Sequence, residues 1–405
     1  MAYVRAVVLA PVLVALCACT GLPGAVALDS PTPSSLASTP PSPLPSPLAF
    51  PSPNPSGPAP LQAARLTCGS AISPIANLTL VTLRGETGVK VRDISDLSQP
   101  ISLCSLNGAG TSDFRFRTAT QVSYVVSDAA GAGALYLADL PSKRTSLVRS
   151  WTGGAYADWV YAWSPDGKTL SYLSSTADAL TWHLLSAAGD VTLSRLAPVP
   201  GRDVSSDNDD AMTGFSADGQ YVALEQTFSG TDTGVPSAAP AFQVVRLSDH
   251  KLEYSRRNGS MATWSGSGAH LYFRTVAGVE SWDPKAGVQL VVPGLEWIRP
   301  WPSADGLRIV YTAADGTGNH HVGYLRLTDQ PIAGNVLSFQ PRTNAVFLNS
   351  TLVWYAEEAS CAQTQCGIGG PPLTGRTLLH DLITGTDEPS VDVSVFDSWP
   401  HVGAA

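Results

Sequence analysis

One short stretch constrains the fold more than any other: Trp163-Ser164-Pro165-Asp166-Gly167-Lys168-Thr169-Leu170-Ser171-Tyr172. An aromatic residue closes one strand, a tight turn follows, and an alternating apolar strand opens. Pro165 presets the first turn dihedral, Asp166 can accept from its own backbone, and Gly167 tolerates a positive φ. This is the turn chemistry of a short β-hairpin. It returns as Phe215-Ser216-Ala217-Asp218-Gly219 and Trp264-Ser265-Gly266-Ser267-Gly268, and one residue longer as Trp301-Pro302-Ser303-Ala304-Asp305-Gly306. A copy over 116–124 lacks the glycine, and Phe347-Leu348-Asn349 offers asparagine in the glycine's place. Each turn leads into an expected strand, at 122–124, 170–172, 222–224, 271–273, 309–311 and 352–354.

The glycine places (119, 167, 219, 268, 306, 349) are 48, 52, 49, 38 and 43 residues apart. That period belongs to propeller blades, and no stretch sustains the 3.6-residue periodicity of a helical solenoid. A second turn signature gives an independent count. It occurs at Asp96-Leu97-Ser98, Pro141-Ser142-Lys143, Ala187-Ala188-Gly189, Asp249-His250-Lys251, Asp283-Pro284-Lys285, Asp329-Gln330-Pro331 and Thr384-Gly385-Thr386. Those are seven outer hairpins against six inner turns. The missing inner turn lies at the chain end, where Trp399-Pro400-His401-Val402-Gly403 repeats the aromatic-to-glycine spacing. The expected architecture is therefore all-β: a seven-bladed β-propeller with four-stranded antiparallel blades, the first closed by the C-terminal strand.

These turns and strands resemble the TolB-like (WD-like) β-propeller repeats, and the same blades occur in prolyl-oligopeptidase propellers. The resemblance runs over about residues 70–403, with the third blade the nearest match. It implies a domain that binds partners, in some members beside a separate hydrolase domain, for which the repeats leave no span here. The motif is a structural turn and specifies no activity.

Before the repeats, Arg5 and an apolar run over 6–16 form a targeting segment too short to span a membrane. Leu16-Cys17-Ala18-Cys19 follows, and resembles a bacterial lipobox. The resemblance implies a lipoprotein signal peptide over 1–18 and acyl chains on Cys19, two or more of which anchor stably. The alternative is an ordinary secretory signal cut after Ala25-Val26-Ala27. Residues 19–66, rich in Pro, Ser and Thr, read as a disordered tether, and 67–405 as the propeller. The expected location is extracytoplasmic, at the outer face of a bacterial cell membrane. Only five of the 24 basic residues are lysine, a usage typical of GC-rich genomes. The net charge of −9 speaks against a nucleic-acid partner.

Chemistry is harder to find. There is no Gly-x-Ser-x-Gly elbow outside a blade turn, no His-Glu-x-x-His and no phosphate-binding glycine loop. No catalytic or metal-ligating set is assigned. Four cysteines remain in an exported chain, Cys68, Cys104, Cys361 and Cys366. Of three possible pairings, the two local ones, Cys68–Cys104 and Cys361–Cys366, are preferred. Asp203, Asp207, Asp209 and Asp210 crowd one loop, where alternating oxygens suit Ca2+, but no glycine turn or distal glutamate completes an EF-type loop, and a solvated acidic loop is the preferred reading. No other cofactor is expected. His320 and His321 are adjacent, so a strand would turn them to opposite faces. Trp151 lies outside the repeat, free to stack on a ligand such as a sugar, and Trp282 abuts an outer hairpin turn. Glu225, Glu357 and Glu358 end second strands, where converging carboxylates would suit a glycan- or peptide-active enzyme.

The favoured reading is a non-catalytic binding or scaffold module, its partner a protein or glycan, with that enzyme as the alternative. Four long connections, at 203–210, 227–241, 314–321 and 359–375, are expected at one end of the ring. Trp151, the four aspartates and the two histidines are the candidates for that binding face.

Overall fold

The structure is a computed structural model. It describes residues 61–69, 78–83, 88–94, 101–152, 160–176, 179–196, 212–225, 242–293, 297–314, 318–327, 335–337, 340–360, 372–390 and 393–399. All of them belong to the unit Leu48–Ala405; the other unit, Met1–Pro47, lies outside the described residues.

No helix occurs among the described residues, and the strands form seven antiparallel sheets. Blade one combines β1 (Arg65–Cys68), β2 (Leu78–Leu83), β3 (Val89–Asp93) and β4 (Ile101–Asn107) with the last strand, β29 (Val393–Trp399). Blade two is β5 (Thr111–Thr118), β6 (Gln121–Ser127), β7 (Gly133–Asp139) and β8 (Arg144–Trp151). Blade three is β9 (Tyr161–Trp163), β10 (Leu170–Thr176), β11 (Ala179–Ser186) and β12 (Gly189–Leu196). Blade four is β13 (Met212–Phe215), β14 (Tyr221–Glu225), β15 (Phe242–Arg246) and β16 (Lys251–Arg256). Blade five is β17 (Ser260–Trp264), β18 (Leu271–Thr275), β19 (Gly278–Asp283) and β20 (Gly287–Pro293). Blade six is β21 (Trp297–Pro302), β22 (Arg308–Ala314), β23 (His320–Arg326) and β24 (Asn335–Val336). Blade seven is β25 (Arg342–Phe347), β26 (Leu352–Glu358), β27 (Leu373–Asp381) and β28 (Thr386–Ser390). First strands lie side by side around the axis, β29 by β5, then β9, β13, β17, β21 and β25.

Closure follows the expected route. Strand β29 pairs with β2 from Leu78↔Trp399 to Leu83↔Val393, so the chain's last strand is the first blade's innermost. Asp397 links onward to blade two, its Oδ2 accepting from the Phe116 amide at 2.7 Å. Blade one also has a fifth, outer strand. β1 pairs with β4 and begins at Arg65, inside the stretch read as tether. Ala64 is buried, and Leu61, Ala63 and Leu66 pack onto the cluster between blades one and two. A disulfide joins Cys68 to Cys104, which face each other in the β1–β4 register. Gly69 bonds Leu103 at 3.0 Å, so the cysteines occupy the neighbouring non-hydrogen-bonded pair, where the strands approach most closely. A bridge spanning 36 residues contributes about 3–4 kcal/mol on the chain-entropy account.

The core is distributed over blade interfaces. Among the described residues there are seven apolar clusters, one for each neighbouring pair, including Ile94 of blade one against Leu348 and Leu352 of blade seven. Strand alternation produces this: Leu170 and Tyr172 face blade two, while Leu173 faces blade four. Second strands are therefore buried on both sides, as in Tyr221–Glu225, whereas the outer strand Lys251–Arg256 is largely exposed.

The repeated turn is held by a small hydrogen-bond knot whose hub is the serine. Ser164 is buried; its hydroxyl donates to Asp166 Oδ1 at 2.7 Å and accepts from the Thr169 amide at 2.9 Å. Asp166 Oδ1 also accepts from the Lys168 amide at 3.0 Å. Ser216 with Asp218 and Ser303 with Asp305 repeat the arrangement. Gly167, Gly219, Gly268 and Gly306 have φ of 66°, 66°, 66° and 69°, as the turn requires.

Two readings change. Asn349 has no positive φ; its Oδ1 accepts from the amides of Thr351 and Leu352, both at 2.8 Å, so it holds the aspartate's place. The pattern in blade seven therefore shifts by one, and Val353 and Tyr355, not Leu352 and Trp354, take the places of Leu170 and Tyr172. In blade six the extra residue lies outside the turn: Pro302 pairs with Ile309 as Trp163 pairs with Leu170.

Two outcomes test this account. Removing residues 393–405 deletes the inner strand of blade one, and a sharp fall in melting temperature by circular dichroism is expected; an unchanged melt would show that β29 does not close the ring. The second concerns acid. Burial alone would raise the carboxyls of Asp166 and Asp305, but the serine hydroxyls, backbone amides and neighbouring cations outweigh it and hold both below 3.8. A depressed folded-state value contributes stability above the unfolded value that is lost as pH falls through the folded one. Asp166→Asn with Asp305→Asn should destabilise at neutral pH, and the gap to the parent should narrow as pH drops below the unperturbed 3.8; a gap independent of pH would contradict it.

Candidate functional site

Turns and outer hairpins emerge at one end of the ring, and links between second and third strands and between blades emerge at the other. At the first end the turns grip one another. Arg117, buried in the serine's place of blade two, donates from Nε to Gly167 O at 2.6 Å and lies 4.9 Å over the Trp163 ring. Asp218 N bonds Gly268 O at 3.3 Å, and Arg308 Nη1 bonds Ser350 O at 3.2 Å. A methyl at Gly266 would stand 2.3 Å from Ala304 O. That end is a collar of interlocked turns.

The opposite end carries the long connections, 197–211, 226–241 and 359–372 among them. Asp203, Asp207, Asp209, Asp210, Cys361 and Cys366 lie on these connections, outside the described residues, as does Cys19. Trp151 ends β8 at this end, half-buried, with its indole laid against Gly133, where a methyl would sit 2.1 Å from the ring. The glycine is what lets the indole lie flat.

The carboxylates singled out from sequence hold blades together. Glu225 is buried, its Oε1 accepting from the Met261 amide at 2.5 Å and its Oε2 from the Ala262 amide at 2.8 Å, which fastens blade four to blade five. Glu358, also buried, takes His320 Nδ1 at 2.9 Å across the boundary of blades six and seven. Glu357 pairs with Arg342 at 3.6 Å and Arg376 at 3.2 Å. His320 and His321 do part ways along β23 as alternation requires, and only His320 reaches Glu358. Trp163 and Trp264 sit between blades; their indole N–H groups donate to Ser123 Oγ at 2.8 Å and Gly214 O at 2.9 Å. Trp301 packs against the cluster of blades six and seven. Trp282 is buried, stacked on Tyr254 at 5.5 Å.

Sequence reading missed two side-chain networks. In blade three, Tyr172 donates to Asp190 at 2.5 Å, stacks on His183 at 4.7 Å, and receives Arg149 of blade two at 2.6 Å. In blade seven, Tyr355 and His380 both reach Asp387, at 2.6 and 2.8 Å. The signal available was a tyrosine two places into the second strand and an aspartate on the outer strand, but only the register brings them together. Around the axis, Tyr161 bonds Asp113 O and Ser123 Oγ, and its complete burial pushes the phenol well above its ordinary value.

No protein-family profile matches the chain, and no curated protein matches it. Solved structures do. TolB from Acinetobacter baumannii is 16% identical over 80% of this chain and 66% of that one, with a TM-score of 0.44. A prolyl endopeptidase structure is 13% identical over 82% of this chain and 50% of that one, TM-score 0.54. Oligopeptidase B from Leishmania major is 10% identical over 85% and 50%, TM-score 0.50. The chain spans about half the length of both peptidases. What is shared with the two peptidases is the propeller fold.

Replacing Glu225 by Gln should cost about 1.5–3 kcal/mol in urea unfolding, because one amide then loses a charged acceptor while staying buried. A cost near zero would show that the carboxylate does not join the blades.

Proposed function

We propose that this chain is an exported propeller, lipid-anchored through Cys19 to the outer face of a bacterial cell membrane, that works as a non-catalytic binding module in the manner of a TolB-like domain. Its partner is a protein or glycan taken on the end that carries the long connections. The observation that supports this most is the division of labour between the two ends. One is taken up by turn-to-turn contacts; the other carries the long connections. Of the three carboxylates the enzyme reading would use, Glu225 is committed to backbone amides, Glu358 to His320 and Glu357 to Arg342 and Arg376.

The anchor fits that geometry. Residue Arg65 pairs with Asn107, and Ala64 lies against Gly108, so the described chain enters at the long-connection end. The stretch between Cys19 and Leu61, if extended as proline-rich chains are, reaches about 130 Å at 3.1 Å per residue. Such a reach lets the binding end meet partners held well away from the lipid.

Crosslinking on intact cells followed by identification of the captured partner tests the reading. Cys19→Ala should release the protein or leave it unprocessed. Shortening 227–241, or neutralising Asp207, Asp209 and Asp210, should weaken capture without changing the melt. Full capture after both changes, with loss on altering the turn at Asp166, would place the site at the other end and overturn the proposal.

A further inference from the structure

Four inner strands, β5, β17, β21 and β25, set two residues against one near the long-connection end, and all but β21 share a further irregularity there. In β5, β17 and β25 two residues stand against one of the second strand: Asp113 and Phe114, Met261 and Ala262, Asn344 and Ala345. The first of each pair has a positive φ, of 51°, 57° and 55°, although none is glycine. Each lies four places before the serine position of its turn, so the bulges stand at one height around the axis. A bulge takes its residues out of the ladder and re-aims them.

Blade five shows what the re-aimed amides do. Those of Met261 and Ala262 converge on one carboxylate, Glu225, supplied by the end of blade four's second strand. The same backbone geometry in β25 aims the Asn344 and Ala345 amides towards blade six. At Glu225's height blade six has Thr312, three residues beyond Ile309 as Glu225 is three beyond Val222. Its side chain is two bonds too short to do the same. No side chain among the described residues accepts from either amide. Asn344 is exposed, and Arg342, two places earlier, brings positive charge, its Nη1 on Pro341 O at 3.1 Å and beside Glu357.

We propose that the amides of Asn344 and Ala345, with Arg342 beside them, receive a carboxylate of the ligand between blades six and seven, as Met261 and Ala262 receive Glu225. This deepens the binding role proposed above and rests on that end being the binding end. The carboxylate belongs either to a peptide terminus or side chain or to a small free acid; charge-assisted bonds to paired amides recognise both.

The test uses the full chain, isotope-labelled, with amide shifts followed by NMR against acetate and against an acetylated dipeptide with a free or an amidated C-terminus. Saturable shifts at Asn344 and Ala345 are expected with acetate and the free-acid peptide and not with the amidated one. Tighter binding of the acid peptide assigns a peptide source, and equal binding a free acid. Thr312→Glu should seat an internal carboxylate in the slot, weakening the response at least tenfold while the melt holds or rises. Absence of saturable shifts in the parent, or an unaltered response in a folded Thr312→Glu, overturns the inference. Partner capture that is lost on shortening 227–241 but retained in Thr312→Glu refutes this receptor alone and leaves the binding end standing.

Discussion

Each blade is a small sheet that is apolar on both faces, and no blade can bury both by itself. Leu170 and Tyr172 need blade two while Leu173 and Trp182 need blade four, and every sheet repeats the demand. An open array would leave two such faces in water. Closing the ring is the physical solution, and it places the whole burden on one junction, where β29 pairs with β2 and where Ile94 meets Leu348 and Leu352. Because the interfaces are nearest-neighbour contacts, loss of that junction exposes two faces at once.

Polar groups are placed with the same logic. The turn serines are buried beneath their hairpins, and a buried hydroxyl is tolerable only if it is bonded. Ser164, Ser216 and Ser303 are bonded to their aspartates and to the amide that opens the next strand, and Ser265, whose turn has no aspartate, accepts from the Ser267 amide at 3.3 Å. Blade two has an arginine there instead, and its guanidinium finds the carbonyl of Gly167 and the face of Trp163. Substituting the hub thus converts a bond within one turn into a bond between two blades. Glu225 acts at the other end by a similar route, replacing ladder bonds that the β17 bulge gives up.

That economy bears on function. The residues with chemical potential in the described part, Glu225, Glu358, His320, Asp190 and Asp387, are drawn into cross-strand or cross-blade bonds. What distinguishes the two ends is therefore the length of the connections and the bulges of the inner strands. Recognition built from backbone amides and loops is the kind of chemistry such a scaffold offers.

Periodicity and turn chemistry in the sequence determined the all-β class, the seven blades and closure by the last strand, because these rest on local dihedral preferences and on spacing along the chain; spacing favoured the Cys68–Cys104 pairing, and the β1–β4 register decided it. The hairpin glycines were legible for the same reason. Asn349 was not: an asparagine suits both the glycine and the aspartate place of this turn, and only its bonds to Thr351 and Leu352 choose between them. Nor were the fifth strand, the blade-joining role of Glu225 or the Tyr172–Asp190 and Tyr355–Asp387 bonds legible. Each joins residues far apart in sequence through strand register and a bulge, and pairing at that range leaves no mark on local composition. Tertiary structure alone decided which carboxylates are spent on architecture and where the inner strands bulge.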